Sequence, residues 1–275
     1  MSFSANAPRL RFGHLWVDAV SFDQAVACLE RLVDEGLGGA VYTPNVDHVV
    51  IAERSEAFQK AYSRVDLSLA DGQLLVWCSP LLGLALPAKV SGSDLFLPAM
   101  QLAGRRGYGV YLLGSLPEVC AAASERLRRE EGVEVVGTDS PFIGLAPRPD
   151  EDAVVERLAA SKPALVLVCL GAPKAELFIE RVRERLPGAV FLAIGASLDF
   201  YVGRVRRAPP WMQRTGVEWL FRLLQEPRRL WRRYLLDDPR FLAVLLRTRL
   251  APRAARVREV APAAAAAPPH SLGAA

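Results

Sequence analysis

Short runs of continuous apolar residues alternate with amphipathic helical patterns along the first 200 or so residues. The clearest run, 165–168, reads Leu-Val-Leu-Val and has no polar face. A strand that is apolar on both sides must be covered on both faces, which is typical of a parallel sheet flanked by helices. We predict such strands at 40–43, 65–70, 109–113, 133–136, 164–170 and 189–194. The pattern predicts an α/β fold with a doubly wound, mostly parallel, Rossmann-like sheet.

The balance of basic and acidic residues differs between the first 203 residues and the part of the chain that follows them. Residues 1–203 hold 19 basic and 25 acidic residues, whereas residues 204–258 hold 15 arginines, no lysine and 4 acidic residues. Uncompensated arginine interleaved with Trp and Tyr favours a helical surface that meets phosphates, either in nucleic acid or at lipid headgroups. We therefore predict three regions: an α/β domain at 1–203, an Arg/aromatic-rich helical appendage at 204–250 that meets such a surface, and a disordered Ala/Pro-rich tail at 251–275.

Several classes of protein are disfavoured by what the sequence does not contain. The four cysteines are far apart and form no C-x-x-C, so we expect neither structural zinc nor a disulfide framework, and three scattered histidines make a His-based metal site unconvincing. There is no P-loop and no G-x-G-x-x-G motif after a strand. No apolar run approaches the roughly 20 residues of a membrane span, and the first 12 residues do not form a signal peptide. We expect a cytoplasmic protein.

Small and polar residues follow five of the predicted strands. In a parallel sheet these positions share the edge where ligands bind, and their backbone N–H groups can hold a phosphate. Any one of these turns is explained better as a simple β–α connection, but five at one edge favour a phosphate-bearing ligand. The turns are Thr43-Pro44-Asn45, Asp71-Gly72, Gly114-Ser115, Gly171-Ala172-Pro173-Lys174 and Gly195-Ala196-Ser197-Leu198-Asp199.

Among the residues in these turns, Asp71 is the strongest candidate for a catalytic role. It ends an apolar strand directly before Gly72, where a carboxylate at the sheet edge can act as a general base. The sequence supports equally well an Asp-Gly turn, or an N-cap for a helix at 73–82.

The ordered set of motifs resembles the WecG/TagA/CpsF glycosyltransferase family (glycosyltransferase family 26) from about residue 12 to residue 249. No single string is decisive, but their order is specific. The strings are Thr43-Pro44-Asn45-Val46-Asp47, Leu69-Ala70-Asp71-Gly72, Val90-Ser91-Gly92-Ser93-Asp94, Val110-Tyr111-Leu112-Leu113-Gly114, Leu170-Gly171-Ala172-Pro173-Lys174, Gly195-Ala196-Ser197-Leu198-Asp199 and Arg207-Ala208-Pro209 with Glu218-Trp219-Leu220.

The resemblance implies an inverting, metal-independent hexosyltransferase without a cofactor. It would move a hexose or N-acetylhexosamine from a UDP-sugar to a polyprenyl-diphosphate-linked sugar, for a cell-surface polymer of the teichoic acid or exopolysaccharide type. By the same resemblance Asp71 is the general base and Thr43 a second catalytic residue. The implied nucleotide-sugar-binding residues are Asn45, Lys89, Gly114, Gly171, Lys174, Gly195 and Asp199. Those implied for the acceptor diphosphate or the membrane are Arg206, Arg207, Arg214, Arg222, Arg229 and Arg232.

The implied location is the inner face of the cell membrane, on an anionic lipid surface, and a homo-oligomer is a candidate state. Two departures from the family pattern bear on the sugar. Lys89 stands where many members have arginine, and Ala175 stands where many have a glutamine that we expect to line the pocket. The donor stays open among UDP-N-acetylmannosamine, UDP-glucose and other UDP-hexoses. The alternatives are a nucleic-acid-binding α/β protein, although we expect no nucleic-acid partner, and a catalytically inactive family member.

Overall fold

A computed structural model describes residues 7–259 of the chain. Its strands are β1 (Arg9–Phe12), β2 (Leu15–Asp18), β3 (Gly39–Tyr42), β4 (Leu67–Ser68), β5 (Gly109–Gly114), β6 (Glu134–Asp139), β7 (Leu165–Cys169), β8 (Val190–Ala193) and β9 (Val257–Arg258). Its α-helices are α1 (Phe22–Asp34), α2 (Val46–Ala52), α3 (Glu56–Ser63), α4 (Gln73–Cys78), α5 (Gly92–Arg106), α6 (Pro117–Glu131), α7 (Glu151–Ser161), α8 (Lys174–Val182), α9 (Ser197–Tyr201), α10 (Pro210–Arg214), α11 (Glu218–Gln225), α12 (Pro227–Arg232), α13 (Phe241–Leu250) and α14 (Arg253–Arg256).

Six strands form one parallel sheet in the order β4-β3-β8-β7-β5-β6. Apolar side chains pack on both of its faces, Phe178 and Phe191 in one core cluster and Leu102 and Leu167 in the other. Every residue of β3, β7 and β8 is buried, as continuous apolar strands require. The predicted α/β, Rossmann-like architecture is confirmed, and the carboxyl ends of its strands form the edge where the candidate residues lie.

A second, antiparallel sheet was not predicted. It has the order β2-β1-β9, and β9 lies within the stretch 251–275 that we expected to be a disordered tail. That prediction needs correction for residues 251–259, because α14 and β9 are formed and Val257 is buried in the core. A single valine between charged residues gives no alternating pattern from which a strand could be predicted. Residues 260–275 of the predicted tail lie outside the described residues.

The basic appendage is helical, as expected, but its second half is built into the α/β domain. Helix α13 packs against α2 and β1, and its Phe241 and Val244 belong to the main core. The buried backbone N–H of Gly13 donates to Thr248 Oγ1 at 3.0 Å. Helices α11 and α12 contribute only Leu230 to the buried set and expose several large apolar side chains. Across residues 7–259, the helices are too short or too polar to cross a bilayer.

Candidate active site

Asp71 lies in the turn that connects β4 to α4. Its backbone N–H donates to Pro44 O at 2.8 Å, so the turn is attached to the loop that follows β3. The N-cap of α4 is Gly72, with φ of 120°, and no side chain caps this helix. The N-cap explanation of Asp71 is therefore wrong, and its carboxyl group is left available for chemistry.

The surroundings of Asp71 raise its affinity for a proton. Burial raises the pKa of the Asp71 carboxyl from 3.8 to about 6, and the nearby carboxylates of Glu218 and Asp94 add to this effect. The cations Lys89 and Arg222 act in the opposite direction and lower the pKa. A carboxylate that titrates near pH 6 is a stronger base than an ordinary aspartate and is still mostly ionised at neutral pH.

Thr43 and Asn45 lie in the loop attached to Asp71. Thr43 is buried, and its hydroxyl donates to Ala193 O at 3.5 Å, which links the ends of β3 and β8. Asn45 is the N-cap of α2, and a Cβ placed on Gly72 would lie 3.9 Å from Asn45 Cβ. The structure thus brings the predicted residues Thr43, Asn45 and Asp71 together at one edge of the sheet.

A buried network behind Asn45 was not predicted as part of the site. The Asn45 side chain accepts from the backbone N–H of His48, and Asn45 Oδ1 lies 2.8 Å from His48 Nδ1. His48 Nε2 lies 3.1 Å from Glu176 Oε1. These contacts fix the orientation of the Asn45 amide. Sequence alone gave only a weak signal for the network, since His48 and Glu176 are 128 residues apart.

Lys89 and Arg207 share one carboxylate at the start of α5. Its Nζ lies 2.9 Å from Asp94 Oδ2, and Arg207 Nη2 lies 2.6 Å from the other oxygen, Asp94 Oδ1. Burial raises the pKa of Asp94, but the Ser91 hydroxyl and these two cations outweigh it, so the pKa is lowered overall. Arg207 therefore ties the appendage to the start of α5 through the same carboxylate that pairs with Lys89.

The loops after β5 and β8 are connected through Asp199. Ser115 Oγ donates to Asp199 Oδ2 at 3.2 Å, and Arg204 Nη1 lies 2.8 Å from Oδ1. Gly114 has φ of +95°, and a Cβ there would lie 2.8 Å from Cys169 O, so only glycine fits. Gly195 also has a positive φ of +53°, but nothing lies within 4 Å of a Cβ placed on it, which leaves space beside its backbone.

The loop after β7 brings two residues to the same sheet edge and places a third elsewhere. Gly171 is exposed, and nothing lies within 4 Å of a Cβ placed on it. Lys174 Nζ lies 4.9 Å from the centre of the exposed Phe142 ring. Ala175 is buried in the hydrophobic core.

A cleft of about 230 Å³ opens between α9 and the appendage helices α11 and α12. It contains three of the predicted arginines, Arg206, Arg222 and Arg229, together with Asp199. Arg222 lies 5.3 Å above the Phe200 ring. The predicted residues Arg214 and Arg232 are exposed and do not line this cleft. The six arginines predicted as one group therefore occupy three different places. Arg206, Arg222 and Arg229 line the cleft, Arg207 pairs with Asp94, and Arg214 and Arg232 are exposed.

Comparison with known proteins agrees with this geometry. The family described as "Glycosyl transferase WecG/TagA/CpsF family" matches residues 10–255. The chain belongs to the WecG/TagA/CpsF family. It is also 32% identical over 216 residues, 78% of this chain and 81% of the relative, to an N-acetylglucosaminyldiphosphoundecaprenol N-acetyl-beta-D-mannosaminyltransferase of Bacillus spizizenii (strain ATCC 23059 / NRRL B-14472 / W23). The resemblance found in the sequence is confirmed, and the protein is a WecG/TagA/CpsF glycosyltransferase.

Proposed function

We propose that this glycosyltransferase moves a sugar from a UDP-sugar to a polyprenyl-diphosphate-linked sugar with inversion at the anomeric carbon. Asp71 is the general base, and its position and raised pKa carry the proposal. The Asp71 carboxylate takes the proton of the acceptor hydroxyl while that oxygen forms a bond to the anomeric carbon. The bond between that carbon and the UDP oxygen breaks on the opposite face, and its electron pair leaves with UDP.

The arginines of the first cleft stabilise the leaving diphosphate. Arg206, Arg222 and Arg229 line the cleft beside Asp199, which follows the predicted nucleotide-binding turn at Gly195. Guanidinium groups donate pairs of hydrogen bonds to phosphate oxygens and offset the negative charge that grows as the bond to UDP breaks. In residues 7–259 no three His, Cys, Asp or Glu side chains cluster as metal ligands would. In the proposed reaction these arginines offset the charge of the leaving diphosphate.

N-acetylmannosamine is the donor sugar that we propose to test first, with N-acetylglucosaminyl-diphosphoundecaprenol as the acceptor. The support is the printed activity of the Bacillus relative, which covers most of both chains.

We propose that the appendage places the enzyme on the inner face of the cell membrane, where such an acceptor is embedded. The appendage exposes Trp211, Trp219 and Trp231 next to arginines, a combination suited to the headgroup region. Arg204 and Arg207 pair with carboxylates at the sheet edge, which favours a role in the transferase over binding of nucleic acid.

The test is UDP release from a panel of UDP-sugars with EDTA present, for wild type, Asp71→Asn and the control Asp150→Asn. Asp150 is exposed and precedes α7, so its loss should leave turnover unchanged. We expect acceptor-dependent turnover that is reduced about 10²- to 10⁴-fold by Asp71→Asn. Equal turnover by Asp71→Asn and wild type would show that Asp71 is not the base. Turnover that is abolished by EDTA and restored by a divalent cation would contradict the metal-independent mechanism.

A further inference from the structure

A second cleft, of about 250 Å³, lies between the β1–β2 turn, the end of α13 and α14. It shares no lining residue with the first cleft. Three arginines and a histidine line it together with small residues. The lining residues are Arg11, Gly13, His14, Arg247, Thr248, Ala251, Ala255 and Arg256. The concentration of positive charge in a concave site indicates an anionic ligand.

The acidic side chain at this cleft neutralises only part of the charge. Both carboxylate oxygens of Glu53 lie 2.7 Å from Arg247 Nη2, and Oε1 lies 3.8 Å from His14 Nε2. Arg11 and Arg256 form no ion pair with any described residue, and the Nε atom of each is buried without a hydrogen-bond acceptor. Arg256 Nη1 donates to Ala251 O at 3.0 Å, which holds this side chain at the cleft.

The rest of the sequence supplies no acidic side chain for these two arginines. Residues 1–6 and 260–275 contain neither Asp nor Glu. Both side chains are partly buried and line the cleft, so an anion bound there would offset the charge of guanidinium groups that have no counter-charge among the described residues. Because the two guanidinium groups are planar donors, phosphate oxygens suit them well.

A stripe of exposed leucines lies on the helix that lines the cleft. Leu242, Leu246 and Leu250 of α13 are 64%, 61% and 77% exposed and are spaced by four residues, so they share one face of the helix. Arg247 and Thr248 of the same helix line the cleft. A phosphate site next to an apolar stripe matches a lipid, whose headgroup is charged and whose chains are apolar.

We propose that the cleft around Arg11 and Arg256 binds the phosphate of an anionic membrane phospholipid, with the α13 leucines against its acyl chains. This inference rests on the proposed membrane location but assigns a specific headgroup site. It places the lipid contact on the body of the enzyme, at α13 and β1, in addition to the exposed tryptophans of α10 to α12.

The experiment compares sedimentation with vesicles of phosphatidylcholine and of phosphatidylcholine mixed with phosphatidylglycerol. The variants are Arg11→Gln and Ala255→Glu, and the control is Arg249→Gln, an exposed arginine on α13 outside the cleft. Ala255→Glu removes no contact and adds a carboxylate to the cleft, so it tests the site even if Arg11→Gln unfolds the protein. We expect wild type to bind the anionic vesicles more tightly. Both cleft variants should bind them about tenfold more weakly, and the control about twofold more weakly.

Three outcomes would overturn the proposal. The first is an equal loss for Arg249→Gln and the cleft variants, which would indicate attraction by diffuse surface charge. The second is unchanged vesicle binding by Ala255→Glu. The third is a large rise in the melting temperature of wild type on addition of inorganic phosphate, together with unchanged vesicle binding by both cleft variants. That result would indicate a soluble ligand. Turnover with a short-chain, soluble acceptor should stay at wild-type level in all three variants, so a failure of this proposal is distinguishable from a failure of the Asp71 mechanism.

Discussion

Replacing Asp71 by asparagine should stabilise the folded protein while it removes activity. The carboxyl has a pKa of 3.8 in its ordinary state and about 6 in the folded protein, so the folded state resists its ionisation. A carboxyl group whose pKa is higher in the folded state than in the unfolded state destabilises the fold at any pH above the unfolded-state pKa. Each pKa unit of difference corresponds to about 1.4 kcal/mol. Asp71→Asn should therefore raise the free energy of unfolding by about 3 kcal/mol at pH 8 and about half of that at pH 5. Near pH 3 both states bind the proton, and the gain should vanish.

The assay is urea unfolding of wild type and Asp71→Asn at pH 8, pH 5 and pH 3, followed by tryptophan fluorescence. Asp94→Asn is the matched control, because the pKa of Asp94 is lowered and its charge stabilises the fold. That variant should lose stability at pH 8, and wild type should lose the same contribution as the pH falls through the folded pKa of Asp94. If Asp71→Asn is less stable than wild type at pH 8, the reasoning from a raised pKa of the Asp71 carboxyl is refuted.

Three further predictions concern the cleft, a turn and the pH profile. Arg229→Gln should lower kcat/KM about 10²-fold, while Arg228→Gln, which replaces an exposed neighbour outside the cleft, should change it less than about threefold in the UDP-release assay. Gly114→Ala should destabilise the fold by about 2–4 kcal/mol in urea unfolding, because the added Cβ would meet Cys169 O at 2.8 Å. Lys89→Gln should move the acidic limb of the rate profile to higher pH, because it removes a cation that lowers the pKa of Asp71.

The six-stranded sheet was predictable because its strands are apolar on both faces and have clear turns behind them. Strands β3, β7 and β8 can be recognised in the sequence by this pattern. Strands β1, β2 and β9 lack this pattern, because they are short and because β1 and β9 alternate arginine with single apolar residues. β1 pairs locally with β2 across the turn at residues 13–14, and on its other side it pairs with β9. The pairing of β1 with β9 joins residues more than 240 positions apart, and local periodicity cannot report such a contact.

Site residues that follow a strand could be predicted from the sequence, whereas the contacts that the appendage makes with the site could not. Asp71, Thr43 and Asn45 come directly after strands, so the topology alone brings them to one edge. The pairing of Arg207 with Asp94 depends on how the appendage folds back over the sheet, which charge composition does not reveal. A long run of arginines indicated phosphate in general, whereas the structure pairs Arg207 with Asp94, pairs Arg204 with Asp199 and places Arg222 in the first cleft.

The appendage also sets the chemistry of the base. Glu218 and Arg222 both lie on α11, and they shift the pKa of Asp71 in opposite directions. Arg207 Nε lies 3.9 Å from Glu218 Oε1, so the same residue that holds Asp94 also holds this helix near the site. Glu218→Gln should therefore lower the pKa of Asp71 and move the acidic limb of the rate profile to lower pH, the opposite of Lys89→Gln. If the two variants shift the limb in the same direction, the limb belongs to a group other than Asp71, and the case for this base would have to rest on its position alone.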